Sequence, residues 1–417
     1  MKIAVIGAGV IGVTTAFELA LDGHDVTVLE RHSAAGEGTS FANAGVIAPG
    51  YITPWAAPGM PRKVLRYLFS QHAPVKVAFP LSGQDLSWMW QWLRACKPDI
   101  YAANRTRMIR LGLYSRERLN EITQGLNLEY DRSPGYMVLL RTEADRALAQ
   151  PGLAVLREAG QKFKEIDADA ARQIEPALST DSPLAGAIYL EDAEASNCRQ
   201  FTMLLKADAQ RRGVKFEFNC TVDKISSAQA ATVYIANEPT PRSFDAVVLC
   251  AGIGSAKLLS PLGVRLPMTP VYGYSLSANI REHLNAPRGA VMDERYKVAI
   301  TRLGQRVRVA GSAEIGGSPT QQRKAAIQTL YKVLHDWFPG AANIGAGVQV
   351  WKGARPMMAD GPPLIGASGV PGVWLNLGHG SSGWALSCGS ARAVADLVSH
   401  RTPGVDLEGL GLERLRR

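Results

Sequence analysis

The opening residues KIAVIGAGVIG, from Lys2 to Gly12, constrain this chain more than any other stretch. Lys2 to Ile6 is a continuous β-forming run, Gly7 to Gly12 reads as a turn, Val13 to Leu21 has helical composition, and Asp25 to Leu29 is β-branched again. Strand, glycine turn, helix and strand make one βαβ unit, which places both strands parallel in a sheet buried on its two faces. The spacing Gly7-x-Gly9-x-x-Gly12 at that junction has a specific physical meaning. Gly7 makes the tight turn, Gly9 lets backbone approach a pyrophosphate, Gly12 lets helix and strand pack closely, and the helix N-terminus faces the anion. Glu30 ends the second strand, where a carboxylate accepts hydrogen bonds from adenosine ribose hydroxyls. The expectation is a bound dinucleotide.

NAD and FAD both use this turn, and the next segment separates them. GEGTSFANAGVIAP, residues 36 to 49, is a long run of small and amide side chains where a simple NAD-dependent dehydrogenase would proceed to another helix. Gly38, Ala42, Ala44 and Gly45 permit close approach, while Thr39, Ser40 and Asn43 offer hydrogen bonds, so the segment suits the extended cofactor FAD; an ordinary surface loop has a similar composition. A second α/β stretch follows at residues 200 to 250, with helix FTMLLKADAQRR, Gly213 as its stop, and strands VKFEFN and DAVVLCAG. The C-terminal part supplies strand VWLNLG, a glycine-rich turn and an apolar helix from Trp384 to Val398. Between these pieces, residues 61 to 125 are rich in tryptophan and arginine with helical periodicity, and residues 266 to 320 alternate as strands.

At 417 residues the chain exceeds what one hydrophobic core supports. The expected fold is α/β: a discontinuous Rossmann-like FAD-binding domain from 1–60, 190–265 and 345–417, interleaved with an α+β substrate-binding domain from 61–189 and 266–344 built on an antiparallel sheet. No apolar run reaches the roughly 20 residues of a membrane span, and the first apolar segment lacks the basic cluster and cleavage site of a secretory signal, so a cytoplasmic protein is expected. Five cysteines, widely separated and without a C-x-x-C pair, point to reduced thiols and to neither a disulfide framework nor a zinc site.

Lys+Arg at 46 against Asp+Glu at 37 gives a net charge of +9 spread over the chain. No basic cluster with interleaved aromatics is present, which leaves a nucleic-acid-modifying flavoenzyme as a remote alternative and no nucleic acid as the expected partner. MPRKVLRYLFSQHAPVKV, residues 60 to 77, mixes basic and apolar residues. Such a segment lies on an anionic membrane surface beside a quinone pool, or packs on the protein with its charges solvated.

Three further features carry chemistry. GARPMMADGPPLIG, residues 353 to 366, sets Arg355 among small and apolar residues, where a guanidinium is costly unless a protein acid or a ligand carboxylate meets its fork. Tyr272 and Tyr274 in PVYGYSL alternate on one strand face, so both can point into one cavity and hold a carboxylate or amine, or pack as ordinary strand residues. The turn Gly378-His379-Gly380-Ser381-Ser382-Gly383 precedes the last helix, whose positive end stabilises a nearby anion by on the order of 1 kcal/mol. His379 either lies over a cofactor or satisfies the turn.

The stretches GTSFANAGVIAPG, PWAAPGMPRKVLRYLFSQHAP, LSWMWQWLRAC, WKGARPMMADGPPLIG and NLGHGSSGW resemble the D-amino acid oxidase and glycine oxidase (DAO) family, and within it the small, flavin-carrying chains of bacterial D-amino acid dehydrogenases. The resemblance implies that Gly7, Gly9, Val10, Ile11, Gly12, Glu30 and Arg31 bind the ADP half of FAD. It implies that Thr39, Ser40, Asn43, Ala44 and Gly45 line the pyrophosphate and flavin, that Val222 meets the adenine end, and that Ala251 and Gly252 close over the cofactor. Gly378, His379, Gly380, Ser381, Ser382 and Gly383 then face the flavin. Arg355 matches the arginine that clamps the substrate carboxylate, with Tyr272, Tyr274 and His379 as further catalytic candidates.

The implied reaction is oxidative deamination of a D-amino acid by hydride transfer from Cα to flavin N5, with electrons passed to quinone or another carrier and no metal. Oxidation of a cyclic or secondary amino acid, such as D-proline, hydroxyproline, sarcosine or glycine, is the alternative. The sequence departs from the family pattern at Tyr272, where lysine is usual, and at Lys352, Ala354, Ser381 and Ser382.

Overall fold

The computed structural model describes residues 1–67, 72–158, 160–227 and 231–416. Two large sheets organise them. The first has six strands in the order Leu364–Ala367, Val373–Leu377, Ala246–Leu249, Lys2–Ile6, Asp25–Leu29, Lys215–Glu217. All neighbours are parallel except the edge strand Leu364–Ala367. Lys2–Ile6 therefore sits centrally, and its alternation serves both faces. Ile3 and Val5 enter a core formed with helices Val10–Leu21, Pro98–Gly125, Cys198–Arg211 and Gly383–Val398, while Ala4 and Ile6 enter another covered by a three-stranded antiparallel sheet. That small sheet, Arg242–Phe244, Ala231–Ile235 and Val222–Ser227, interrupts the α/β stretch expected over 200–250.

The second sheet has ten strands, and its main path runs from Gln349–Met358 through Met268–Asn279 and Arg306–Gly316 to Gly186–Ser196 and Val46–Ile47. Helix Lys324–Trp337 covers one face with Leu330, Val333, Leu334 and Trp337. The other face turns towards the loop after Glu30, where Phe41 stacks on Trp351.

Two segments lie elsewhere than their sequence boundaries suggest. Gln349–Met358, assigned to the cofactor unit, pairs along its length with Met268–Asn279 and is the edge strand of the second sheet. Helix Pro98–Gly125, assigned to the substrate unit, packs Met108, Leu111, Leu119 and Ile122 into the core of the first. At 28 residues it is about 42 Å long, enough to cross from one unit to the other. The basic segment 60–77 divides: Met60–Tyr67 is helical, Val75–Ala78 is a strand paired with Ala313–Gly316, and 68–71 lie outside the described residues.

Three helices of the first unit are tied by one carboxylate. Glu18 is 0% exposed and accepts from Arg118 Nε and Nη2 at 2.7 and 2.9 Å and from Arg392 Nη1 at 2.7 Å. Removing one partner of a buried ion pair strands the other charge. Glu18→Ala is therefore expected to destabilise the protein by about 3–5 kcal/mol in denaturant titration. Glu121→Ala, which removes Arg118's exposed partner, is expected to change stability by less than ~1 kcal/mol.

Candidate active site

The ends of the parallel strands build a nucleotide cradle. Gly7 adopts φ +103° and donates its N–H to Leu29 O at 2.9 Å, so the turn closes directly onto the neighbouring strand. A Cβ on Gly7 would lie 2.8 Å from Cys250 O, and one on Gly12 would lie 1.8 Å from Gly7 O. These contacts leave bare backbone at the N-terminus of helix Val10–Leu21, which has no side-chain cap from its N-cap residue Gly9. Ser40 reaches in instead and accepts the Val10 N–H at 3.0 Å. Ala251 and Gly252 follow immediately after Cys250, beside Gly7. The Glu30 carboxylate accepts from Ala8 N at 2.6 Å and from His32 N at 2.9 Å, which fixes it at the end of its strand. Cys220 N donates to Glu30 O at 2.8 Å and brings Val222 alongside, whereas Arg31 is exposed.

The loop after this cradle is fastened to the second sheet. Thr39 Oγ1 donates to Ala354 O at 2.7 Å, Asn43 Oδ1 accepts from Gly45 N at 3.0 Å, and Arg308 Nη1 donates to Asn43 O at 3.2 Å. Gly45, at φ +76°, has no room for a side chain, because a Cβ would lie 2.8 Å from Ser196 O.

Arg355 lies on the face of the second sheet that looks onto this loop. Its Nη1 donates to Ser312 O at 3.0 Å, and the Trp55 ring centroid lies 5.7 Å from its guanidinium carbon. Trp55 is held in turn by a hydrogen bond from its Nε1 to Ser381 Oγ at 3.1 Å. Among the described residues no carboxylate pairs with Arg355, and desolvation pushes its pKa down to about 10, which leaves it charged at neutral pH. Space for the guanidinium comes from Gly273, where a Cβ would fall 2.4 Å from Nη2. Ser312, at φ +58° in a bulge opposite Gly273, presents the carbonyl that orients it. The arrangement is a cation with one edge fixed and no counter-charge, suited to an anionic ligand with two oxygens.

The family model described as FAD dependent oxidoreductase matches residues 2–397. The chain belongs to this family. A D-amino acid dehydrogenase from Cereibacter sphaeroides is 42% identical over 418 residues, covering 99% of this chain and 95% of that one. A D-amino acid dehydrogenase from Bradyrhizobium diazoefficiens is 40% identical over 416 residues, covering 99% of both. Among solved structures, glycine oxidase from Geobacillus kaustophilus superposes with a TM-score of 0.76 at 21% identity, covering 99% of this chain and 98% of that one, and so shares the fold. The cradle fits the cofactor of an FAD dependent oxidoreductase: Gly7, Gly9 and Gly12 leave backbone open to a pyrophosphate, and Glu30 stands beside it.

Within this FAD-dependent oxidoreductase two expected catalytic residues, Tyr272 and Tyr274, face away from the guanidinium. Tyr272 and Tyr274 do share one face, with Lys352 Nζ 4.4 and 5.3 Å from their ring centroids. That face is the opposite one. Gly273 pairs with Gly353 and Val271 with Arg355, so period-two alternation sends the tyrosines to the side covered by helix Lys324–Trp337. There Tyr274 donates to Glu314 Oε2 at 2.8 Å and accepts from Arg323 N at 3.2 Å. Three of the departures from the family pattern, Tyr272, Lys352 and Ala354, therefore share the face turned away from Arg355.

His379 is 3% exposed, with Nε2 2.9 Å from Ser390 Oγ on the last helix. The 3₁₀ turn Gly380–Ser382 then leads into the final helix. Sequence reasoning missed Trp55, Gly273, Ser312 and Arg308. Of these Gly273 carried a signal, since a glycine inside a β-forming run marks a bulge or a close approach.

Burial pushes the His379 pKa from 6.5 down to about 3. Between those values the unfolded chain binds a proton that the folded chain does not, so folding stability rises with pH across that window. His379→Gln is expected to remove up to ~1.4 kcal/mol per pH unit of that dependence in denaturation midpoints measured from about pH 4 to pH 6.5. An unchanged acid-side slope would show that the ring is not held neutral.

Proposed function

We propose that this enzyme oxidatively deaminates D-amino acids, removing a hydride from Cα and leaving an imino acid that water converts to a 2-oxo acid and ammonia. Bound FAD supplies the acceptor for that hydride. The observation that carries the reading is Arg355, a part-buried cation that meets a backbone carbonyl but no carboxylate among the described residues. An amino acid supplies the missing anion, and a bidentate pair fixes both carboxylate oxygens and so directs Cα. Preference for the D-isomer is supported by the two dehydrogenases, each at least 40% identical along the whole chain.

The cofactor would be held by Gly7, Gly9, Val10, Ile11 and Gly12 at the pyrophosphate, with Ser40 fixing the first helical turn, Glu30 and Val222 at the adenosine end, and Arg31 at the rim. Thr39, Asn43, Ala44 and Gly45 would line its flavin side, Ala251 and Gly252 would close beside Gly7, and Gly378, Gly380, Ser381, Ser382 and Gly383 would place the positive end of the last helix towards it. Trp55, tied to Ser381, lies beside the guanidinium.

Arg355→Met is expected to raise the apparent KM for D-alanine about a hundredfold, corresponding to the loss of a charge-paired contact, while the yellow FAD-loaded protein is still obtained. Anaerobic bleaching of the flavin band by D- but not L-amino acids tests the reaction itself. A variant with unchanged KM, or bleaching by neither isomer, would overturn the assignment.

Electrons leave to quinone or another carrier, and one surface supports delivery at a membrane. Leu86, Trp90 and Leu93 are 56%, 61% and 46% exposed at helical spacing on Gly83–Ala95, with Leu65 and Phe79 at 63% and 81% exposed. Arg62, Lys63, Arg94 and Lys97 are exposed in the same part of the chain. Apolar side chains with basic neighbours suit the interface of an anionic bilayer. No helix among the described residues is long and apolar enough to cross one. Flotation with phosphatidylglycerol vesicles is expected to carry the enzyme, and Leu86→Glu with Trp90→Glu is expected to abolish it; an unaltered enzyme that stays behind would remove the proposal.

A further inference from the structure

We infer that Trp351 and Phe41 form the wall against which the substrate's side chain lies, and that Trp351 sets side-chain preference. The inference rests on the reading of Arg355 as the carboxylate clamp. Gly273 and Gly353 face each other directly across the paired strands, and each makes room for one planar group. The Arg355 guanidinium lies against Gly273, and the Trp351 indole lies so close over Gly353 that a Cβ there would fall 1.7 Å from its ring. Directly paired side-chain positions are about 5 Å apart. Guanidinium and indole are therefore side by side on one face, separated by roughly the length from an amino acid's carboxylate to the first atoms of its side chain.

Two features flank the indole. Ser275, two residues along the same strand face and directly opposite Trp351, is 1% exposed, and its hydroxyl has no hydrogen-bond partner among the described residues. A buried hydroxyl in that state costs about 1–3 kcal/mol. Behind the indole, Phe41 stacks on Trp351 with ring centroids 6.5 Å apart at 28°, and the Arg199 guanidinium carbon lies 4.3 Å from the centroid of the far ring. Phe41 belongs to the same loop as Ser40 and Asn43, so the wall is held from the cofactor side as well as from the sheet. Flat apolar surface favours planar or branched apolar side chains, and Arg199 beyond Phe41 disfavours cationic ones.

Trp55, the other indole near Arg355, is anchored to Ser381 and belongs to the clamp. It should affect all carboxylates alike, which gives the control. In the FAD-loaded enzyme, binding of phenylacetate and of acetate is followed by perturbation of the flavin absorbance. Trp351→Ala is expected to reduce the preference for phenylacetate over acetate at least tenfold, and Phe41→Leu to reduce it severalfold with Trp351 still present. Trp55→Leu is expected to weaken both ligands with little change in their ratio. The same ordering is expected in the ratio of kcat/KM for D-phenylalanine to that for D-alanine. A preference unmoved by Trp351→Ala and Phe41→Leu, or moved only by Trp55→Leu, would overturn the assignment. Failure of the unaltered enzyme to bleach with any D-amino acid would refute the proposed reaction and leave the carboxylate ratios to decide this wall.

Discussion

A guanidinium set on a sheet face with no counter-charge among the described residues constrains its whole surroundings. Arg355 carries that burden, and the sheet around it is shaped accordingly. Two paired glycines strip the surface of side chains, a bulge turns the Ser312 carbonyl towards Nη1, and the Trp55 indole lies beside the guanidinium. None of these features stabilises the isolated fold in an obvious way. Each becomes intelligible once the missing charge is supplied by a ligand, since the same desolvation that penalises the free cation strengthens its attraction for a carboxylate.

The second sheet reaches the nucleotide unit through short polar links. Thr39, Asn43 and Arg308 tie the loop after the first βαβ unit to strands more than two hundred residues away, and the Trp384 indole on the last helix donates to Ser196 Oγ at 3.2 Å. Most such bonds use a backbone carbonyl on one side. Backbone positions move less than side chains, so the loop inherits the rigidity of the sheets it spans.

Much of this was legible where the signal is local. Strands Lys2–Ile6 and Asp25–Leu29 coincide with the runs read from composition, and the last helix begins one residue before the expected Trp384. The first helix starts at Val10, three residues before the helical composition becomes clear, because Ser40 supplies a hydroxyl from another segment to its first turn. What stayed hidden was relational. The spacing of Tyr272 and Tyr274 showed that they share a face, but which face depends on parity with Arg355, and that is set only by the register of Met268–Asn279 on Gln349–Met358. Helix Pro98–Gly125 packs into the core of the first sheet, which its sequence does not reveal, since an amphipathic stripe says that a helix packs but not upon what.

The strand order of the first sheet has a consequence for how the protein is made. Lys2–Ile6 lies between Asp25–Leu29 and Ala246–Leu249, and Val373–Leu377 completes the far side. At ribosomal rates of about 5–20 residues per second, the central strand waits roughly 10–45 s between meeting its first neighbour and its second. Through that interval a hydrophobic edge stands open on the nascent chain, a template for unwanted pairing. The cradle for the cofactor, which needs Cys250 against Gly7, comes into being only after the strand arrives. Loading is thus a late event, and a chain stalled before its midpoint is both empty and adhesive, a natural substrate for chaperones.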